Sequence, residues 1–173
     1  MTRHIVCMGV SATGKSTIGK ILADKLGGYD FLEGDDLHSQ ASKDRMKQGI
    51  ALTDEDRAPW LTRIRDWMSE QSSAGRSTVI ACSALKHSYR DLLREADGRV
   101  IFIHISPPRS LLQERIAERE DHFMGADQLD DQLDTLEPLI SGEDGFTTTN
   151  EGSPEEAVQE IMALLKEDRD EQQ

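Results

Sequence analysis

Gly9-Val10-Ser11-Ala12-Thr13-Gly14-Lys15-Ser16 meets the pattern G-x-x-x-x-G-K-[ST] at every fixed position. Its surroundings restrict the fold further. The apolar run His4–Met8 before it reads as a strand, and a helical pattern opens at Lys15. In that context glycines let the backbone turn with its N–H groups pointing inward, and the helix N-terminus adds positive potential. Such a loop holds phosphate. Lys15 reaches the β and γ phosphates, and the Ser16 hydroxyl suits Mg²⁺ bridging phosphate oxygens. The nucleotide-binding stretch is therefore Gly9, Val10, Ser11, Ala12, Thr13, Gly14, Lys15, Ser16 and Thr17.

The rest of the chain repeats the strand-then-helix alternation. Candidate strands are His4–Met8, Tyr29–Leu32, Thr78–Cys82 and Val100–Ile105. Candidate helices are Lys15–Leu26, Gln40–Gln48, Arg57–Gln71, Tyr89–Glu95, Pro108–Arg119, Gln128–Leu136 and Glu155–Lys166. Thr53 followed by Asp56, and Ser153 before Pro154, read as helix starts. This alternation predicts an α/β fold, a parallel sheet with helices on both faces. Phe146–Thr149 is a fifth candidate strand, polar for a buried one. The charged helical stretch 115–139 has no strand inside it and reads as a lid over the site.

Composition narrows the function classes. The chain has 173 residues, enough for a single domain over 1–173, with 167–173 expected to form a frayed acidic tail. The longest apolar run, Ile5–Val10, is far short of the roughly 20 residues that span a bilayer, and the N-terminus has no secretory cleavage pattern. No membrane association is expected. Cys7 and Cys82 lie in predicted strands, too few for a disulfide framework, which fits buried thiols in a reducing cytoplasm. The net charge of -13 is uneven: from Glu114 to Gln173 there are 19 acidic and 4 basic residues. That sign argues against a nucleic-acid groove and leaves any anion site local to the first two thirds of the chain.

A guanine motif Asn-Lys-x-Asp is absent, and the third strand ends in Cys82-Ser83 rather than a carboxylate. The carboxylates follow the second strand instead, in Phe31-Leu32-Glu33-Gly34-Asp35-Asp36-Leu37-His38. Ligands of open α/β sheets bind at that carboxyl edge. A carboxylate there can orient an acceptor hydroxyl and take its proton, or hold Mg²⁺ through water. Asp35 and Asp36 both qualify as the base. Lys86 and Arg90, four apart after the third strand, can share a helix face near an anionic substrate or form a solvated basic face. Arg115 and Arg119 have the same spacing at the start of the lid. They can neutralise transferring phosphate there, or pair with Glu114, Glu118 or Glu120 along the helix.

Taken together, these stretches resemble the gluconate kinase (gluconokinase) family of shikimate-kinase-like P-loop kinases, from about Ile5 to about Leu139. The resemblance rests on Met8-Gly9-Val10-Ser11 leading into Gly14-Lys15-Ser16, on Gly34-Asp35-Asp36-Leu37-His38, and on Leu52-Thr53-Asp54-Glu55-Asp56-Arg57 with Pro59-Trp60-Leu61. Ala81-Cys82-Ser83-Ala84-Leu85-Lys86, Tyr89-Arg90, Leu92-Leu93-Arg94, and in the lid Arg115, Arg119, His122-Phe123 and Leu136-Glu137-Pro138 complete it. The resemblance implies a P-loop NTPase fold of the nucleoside/shikimate kinase type with a helical lid. It also implies ATP- and Mg²⁺-dependent phosphorylation of D-gluconate to 6-phosphogluconate by a cytoplasmic homodimer. Asp35 looks like the carboxylate facing the primary hydroxyl and the metal. His38, Lys86, Arg90 and His122 look like substrate-side groups, and Arg115 and Arg119 like lid groups, with Lys15, Asp35 and Arg115 carrying the chemistry. Three departures stand out: Asp121 before His122-Phe123, Ala12-Thr13 in the loop, and the threonines at 147–149. The first two replace residues common in the family, and the third replaces an apolar fifth strand. A kinase of another small acid, such as shikimate, and a non-catalytic nucleotide-binding regulator are the rival readings.

Overall fold

The computed structural model describes residues 1–118 and 126–171. Five parallel strands form one sheet: β1 (Arg3–Met8), β2 (Asp30–Glu33), β3 (Thr78–Ala81), β4 (Arg99–Ile105) and β5 (Gly145–Thr148), in the order β2-β3-β1-β4-β5. The described helices are α1 (Lys15–Leu26), α2 (Gln40–Lys47), α3 (Asp54–Ser73), α4 (His87–Leu93), α5 (Arg109–Glu118), α6 (Ala126–Thr135) and α7 (Pro154–Glu171).

Strand periodicity sorts the core into two layers. Val6 and Met8 of β1 face one way with Ile80, Val100 and Phe102, against Trp60, Leu61, Ile64 and Met68 of α3 and Tyr89 and Leu93 of α4. Ile5 and Cys7 face the other way with Val79, Ile101 and Ile103, against Ile18 and Leu22 of α1 and Val158, Ile161 and Leu165 of α7. Successive side chains of a strand point to opposite faces, so strands covered on both faces must be apolar at every position. That is why the central strands are mostly apolar, with His4, Thr78 and His104 as buried polar exceptions. Both cysteines are buried and free, and burial pushes each thiol up to about 12.

Local chemistry moves several boundaries from their predicted places. The α3 helix begins at Asp54 rather than Arg57. There the Thr53 hydroxyl accepts from the Asp56 amide at 3.1 Å, and the Asp56 carboxylate accepts from the Thr53 amide at 2.9 Å. This reciprocal cap satisfies two otherwise orphaned donors. The β5 strand tolerates threonines because it is the sheet edge. Thr147 is exposed, and the Thr148 hydroxyl donates to Glu160 of α7 at 2.8 Å. The expected frayed tail at 167–173 is corrected over its first five residues, since α7 runs on to Glu171. Its Asp168 pairs with Arg99 of β4 at 2.7 Å, and Arg99 also grips Asp144 at 2.8 Å, which binds the last helix to the sheet.

Candidate active site

The loop between β1 and α1 turns sharply at three places, with φ of 148° at Gly9, 68° at Ala12 and 86° at Gly14. Gly9 is required twice over. A Cβ there would lie 2.7 Å from the carbonyl oxygen of Ile105, in a backbone region that side chains avoid. Lys15 turns back across the loop, its Nζ donating to the Val10 carbonyl at 3.4 Å. The Ser16 hydroxyl donates to the Glu33 carboxylate at the end of β2. A hydroxyl and a carboxylate are hard oxygen ligands of the kind Mg²⁺ takes alongside substrate phosphates and water. The pair fits that ion, and Glu33 is a candidate site residue the sequence reading passed over. The rule that selected Asp35, a carboxylate at the carboxyl end of a strand beside the loop, applies equally to Glu33.

A single 3₁₀ turn, Gly34–Leu37, carries the acceptor-side residues. Gly34 lets this turn press on β3, since a Cβ would meet the Ala81 carbonyl oxygen at 2.6 Å. The Trp60 indole donates to the Gly34 carbonyl at 2.7 Å and stacks on the His38 ring, centroids 4.0 Å apart. His38 is thereby buried, with Nε2 3.6 Å from Asp35 Oδ1. That distance makes an electrostatic contact rather than a hydrogen bond. Its Nδ1 is buried with no partner among the described residues. The Asp35 side chain itself remains open to solvent. The surrounding protein favours its neutral form, but His38 and the charge of Lys15 outweigh this and hold the carboxyl below its ordinary range. Asp36 is exposed and makes no hydrogen bond to another described side chain, so Asp35 is the carboxylate brought under the field of Lys15.

Lys86 and Arg90 part company instead of sharing a face. The Lys86 ammonium sits on Asp54 at 3.0 and 3.2 Å, and Asp54 also accepts from the Tyr89 hydroxyl. Arg57 donates to that hydroxyl at 2.9 Å. Arg90 has no exposed side-chain surface. Its guanidinium donates to Glu143 at 2.8 Å, to the Ala84 and Glu137 carbonyls at 2.8 Å each, and contacts His87 Nδ1 at 2.7 Å. The expected open, ligand-facing Arg90 is corrected on this point: its donors are consumed inside, tying α4 to the segment that follows α6. Arg94 joins it at Glu143, 3.2 Å away.

On the lid side Arg115 lies on the phosphate loop, not along its own helix. It donates to the Ala12 carbonyl at 3.2 Å and the Asn150 carbonyl at 3.1 Å. Asn150, with φ of 39°, donates in turn to the Thr13 carbonyl at 3.1 Å. No motif singled it out. Arg119 and His122 lie outside the described residues. Among the described residues no group of three His, Cys, Asp or Glu side chains gathers as a metal cluster. A groove at the opposite, amino edge of the sheet is lined by Met1, Thr2, Ser72, Gly75, Ser77 and Gly98. Among the described residues, the candidate site groups stand at the carboxyl edge.

Comparison with known proteins agrees with this geometry. Residues 5–139 match the family described as AAA domain. The chain is 44% identical over 160 residues to a gluconokinase of Gluconobacter oxydans, covering 92% of this chain and 89% of that protein. It is 38% identical to a gluconokinase of Arabidopsis thaliana, covering 93% and 91%. A crystal structure of a gluconokinase from Sinorhizobium meliloti superposes with TM-score 0.83 at 40% identity, covering 92% of this chain and 89% of that one. An unliganded sugar kinase from Janibacter superposes with TM-score 0.90 at 44% identity, covering 96% and 95%. A shikimate kinase from Aquifex aeolicus, 17% identical with TM-score 0.59, shares the fold. Identity at this level along nine-tenths of the chain comes with the same fold: the chain belongs to the gluconokinase family of P-loop kinases.

Proposed function

We propose that the protein transfers the γ-phosphoryl group of MgATP to the terminal hydroxyl of D-gluconate, giving 6-phospho-D-gluconate and ADP. One observation carries the reading beyond family membership. Asp35, on a different loop, stands within the field of Lys15 of the phosphate loop, at one edge of the sheet. An acceptor-side carboxylate that feels the charge of the phosphate-loop lysine suits in-line transfer, which depends on positioning and charge neutralisation. The gluconate oxygen forms the new P–O bond and the bond from the γ-phosphorus to the β–γ bridging oxygen breaks. The hydroxyl proton passes to Asp35, whose low basicity suits a base that orients first and accepts late. Ser16 and Glu33, with Asp35 through water, would hold Mg²⁺. When bound, that ion neutralises phosphate charge. Arg115 reaches the loop from the lid, and Arg119 is the second arginine assigned to neutralise phosphate. His38, Lys86 and His122 are the substrate-side groups, and Arg90 acts there by positioning α4. A homodimer and a cytoplasmic location complete the reading.

ADP release with MgATP, compared across D-gluconate, shikimate, glucose, glycerate and no acceptor, tests this. Release with gluconate alone is expected. Lys15→Ala should lower kcat by about two orders of magnitude or more, the scale for losing one preorganised charge donor. Turnover of another acceptor would keep the kinase and discard the substrate; ATP binding without turnover on any acceptor would indicate a regulator.

A further inference from the structure

The α6 helix lies directly on the phosphate loop. Its Leu129 is fully buried, in one cluster with Val10 and Ala12 of the loop, Leu85 of the β3–α4 segment, and Leu112 and Ile116 of α5. From this seat Gln132 reaches into the loop, and its side-chain oxygen accepts from the Ser11 amide at 2.7 Å. Of the two ends of an amide side chain only the carbonyl accepts from an N–H, so the oxygen faces Ser11 and the Gln132 NH₂ group is the other prong. The Ser11 amide belongs to the loop between β1 and α1, whose backbone N–H groups suit a bound phosphate. The acceptor wall's anchorage begins immediately after α6, where Leu136 packs against both clusters. The Glu137 amide donates to the Leu85 carbonyl at 2.7 Å, and the Glu137 carboxylate caps α4 through the His87 amide at 2.6 Å.

We propose that Gln132 is a positioning residue that reads the terminal phosphate for α6. In the free protein its carbonyl holds the Ser11 amide. When that amide turns to a phosphoryl oxygen, the NH₂ prong donates to the same phosphoryl group. The helix then stays docked on the loaded loop and holds the acceptor wall through Glu137. Glutamine alone among the standard acyclic side chains of this reach both accepts and donates without charge. A glutamate could hold the empty loop but would repel phosphate, and a lysine could do neither job in the empty loop. This inference rests on the nucleotide reading of the loop given above.

The test is calorimetric titration of the full chain with Mg²⁺ and either a β,γ-imido ATP analogue or ADP, for wild type, Gln132→Glu and Gln132→Ala, beside the melting temperature of each ligand-free protein. Both variants should lose about tenfold or more in affinity for the analogue, the scale of one hydrogen bond to a charged group, with little change for ADP. Gln132→Glu should keep the ligand-free melting temperature, because it still accepts from Ser11, and should lose more analogue affinity than Gln132→Ala. A ratio of analogue to ADP affinity that stays at the wild-type value in both variants would overturn the proposal and leave Gln132 a packing residue. If Gln132→Ala folds poorly, Gln132→Glu decides alone. Wild-type protein that binds neither nucleotide would overturn the nucleotide reading itself, and this inference with it.

Discussion

Gly9 and Ala12 show how differently two positions of one loop weigh. At Gly9 a side chain would face both an avoided φ and the backbone of β4, which cannot yield like a flexible side chain. Gly9→Ala should therefore destabilise the protein by about 2–3 kcal/mol, read as a lower urea midpoint with an unchanged slope. An unchanged midpoint would show that the loop relaxes freely. Ala12 adopts φ of 68° without being glycine, and its methyl is buried in the α5–α6 cluster. The left-handed strain of roughly 1–2 kcal/mol is partly offset by roughly 0.8 kcal/mol of methyl burial. Glycine is thus dispensable at position 12, though the position does need a positive φ. Residue types named the loop and Asp35. They did not separate Asp35 from Asp36, because only the 3₁₀ turn decides which of two adjacent carboxylates faces Lys15.

Among the elements, α4 is the clearest case of a face read wrongly from spacing. Lys86 and Arg90 are one turn apart, yet Lys86 stands just before the helix and leans on Asp54 while Arg90 enters the interior. The partner that draws Arg90 in is Glu143, more than fifty residues away, which no local pattern signals. Burial favours the neutral Glu143 carboxyl, but hydrogen bonds from Arg90, the Ile140 amide and Arg94 outweigh it and hold it at about 2. The folded value lies below the unfolded one, so this stabilisation is complete above the unfolded value, near 4.5, and is lost as pH falls towards 2. At pH 6, Glu143→Gln should be less stable by about 2 kcal/mol in urea unfolding, and the gap should narrow steadily between pH 5 and pH 2. A gap independent of pH would mean that shape, not charge, is what Glu143 supplies. The cap of α3, by contrast, was legible from Thr53 and Asp56, because a capping box is made by residues three apart, although the apolar pattern began the helix only at Arg57.

For the molecule as a whole, the strand order puts β1 and its loop between the acceptor strands β2 and β3 and the lid-side strands β4 and β5. Nucleotide and acceptor walls therefore meet at the end of one central strand, and a ligand there touches parts of the chain distant in sequence. Binding should stabilise the entire fold by mass action. MgATP at about a hundred times its Kd adds about 2.7 kcal/mol, which for a chain of this size is a rise in Tm of about 5–10 °C. Lys15→Ala should show little of this rise at the same concentration in a thermal melt. A full rise in the variant would place the nucleotide elsewhere. None of the described helices is long and apolar enough to cross a membrane. The acidic excess of the final third lies partly in α7, whose apolar stripe Ala157, Val158, Ile161 and Leu165 packs on the sheet.

What the sequence determined by itself was whatever depends on near neighbours in the chain. The strand-loop-helix around Lys15, the apolar central strands, the capped α3 and the family resemblance all follow from spacings of a few residues, where geometry is set by backbone periodicity. Tertiary structure alone decided the pairings made across the fold. Ser16 meets Glu33, Arg90 meets Glu143, Arg115 meets the loop and Asn150, and Gln132 meets Ser11. Each joins residues from separate elements, and a polar side chain at the carboxyl edge of a sheet can turn to several partners. Which one it takes depends on how the layers pack, a property of the whole chain.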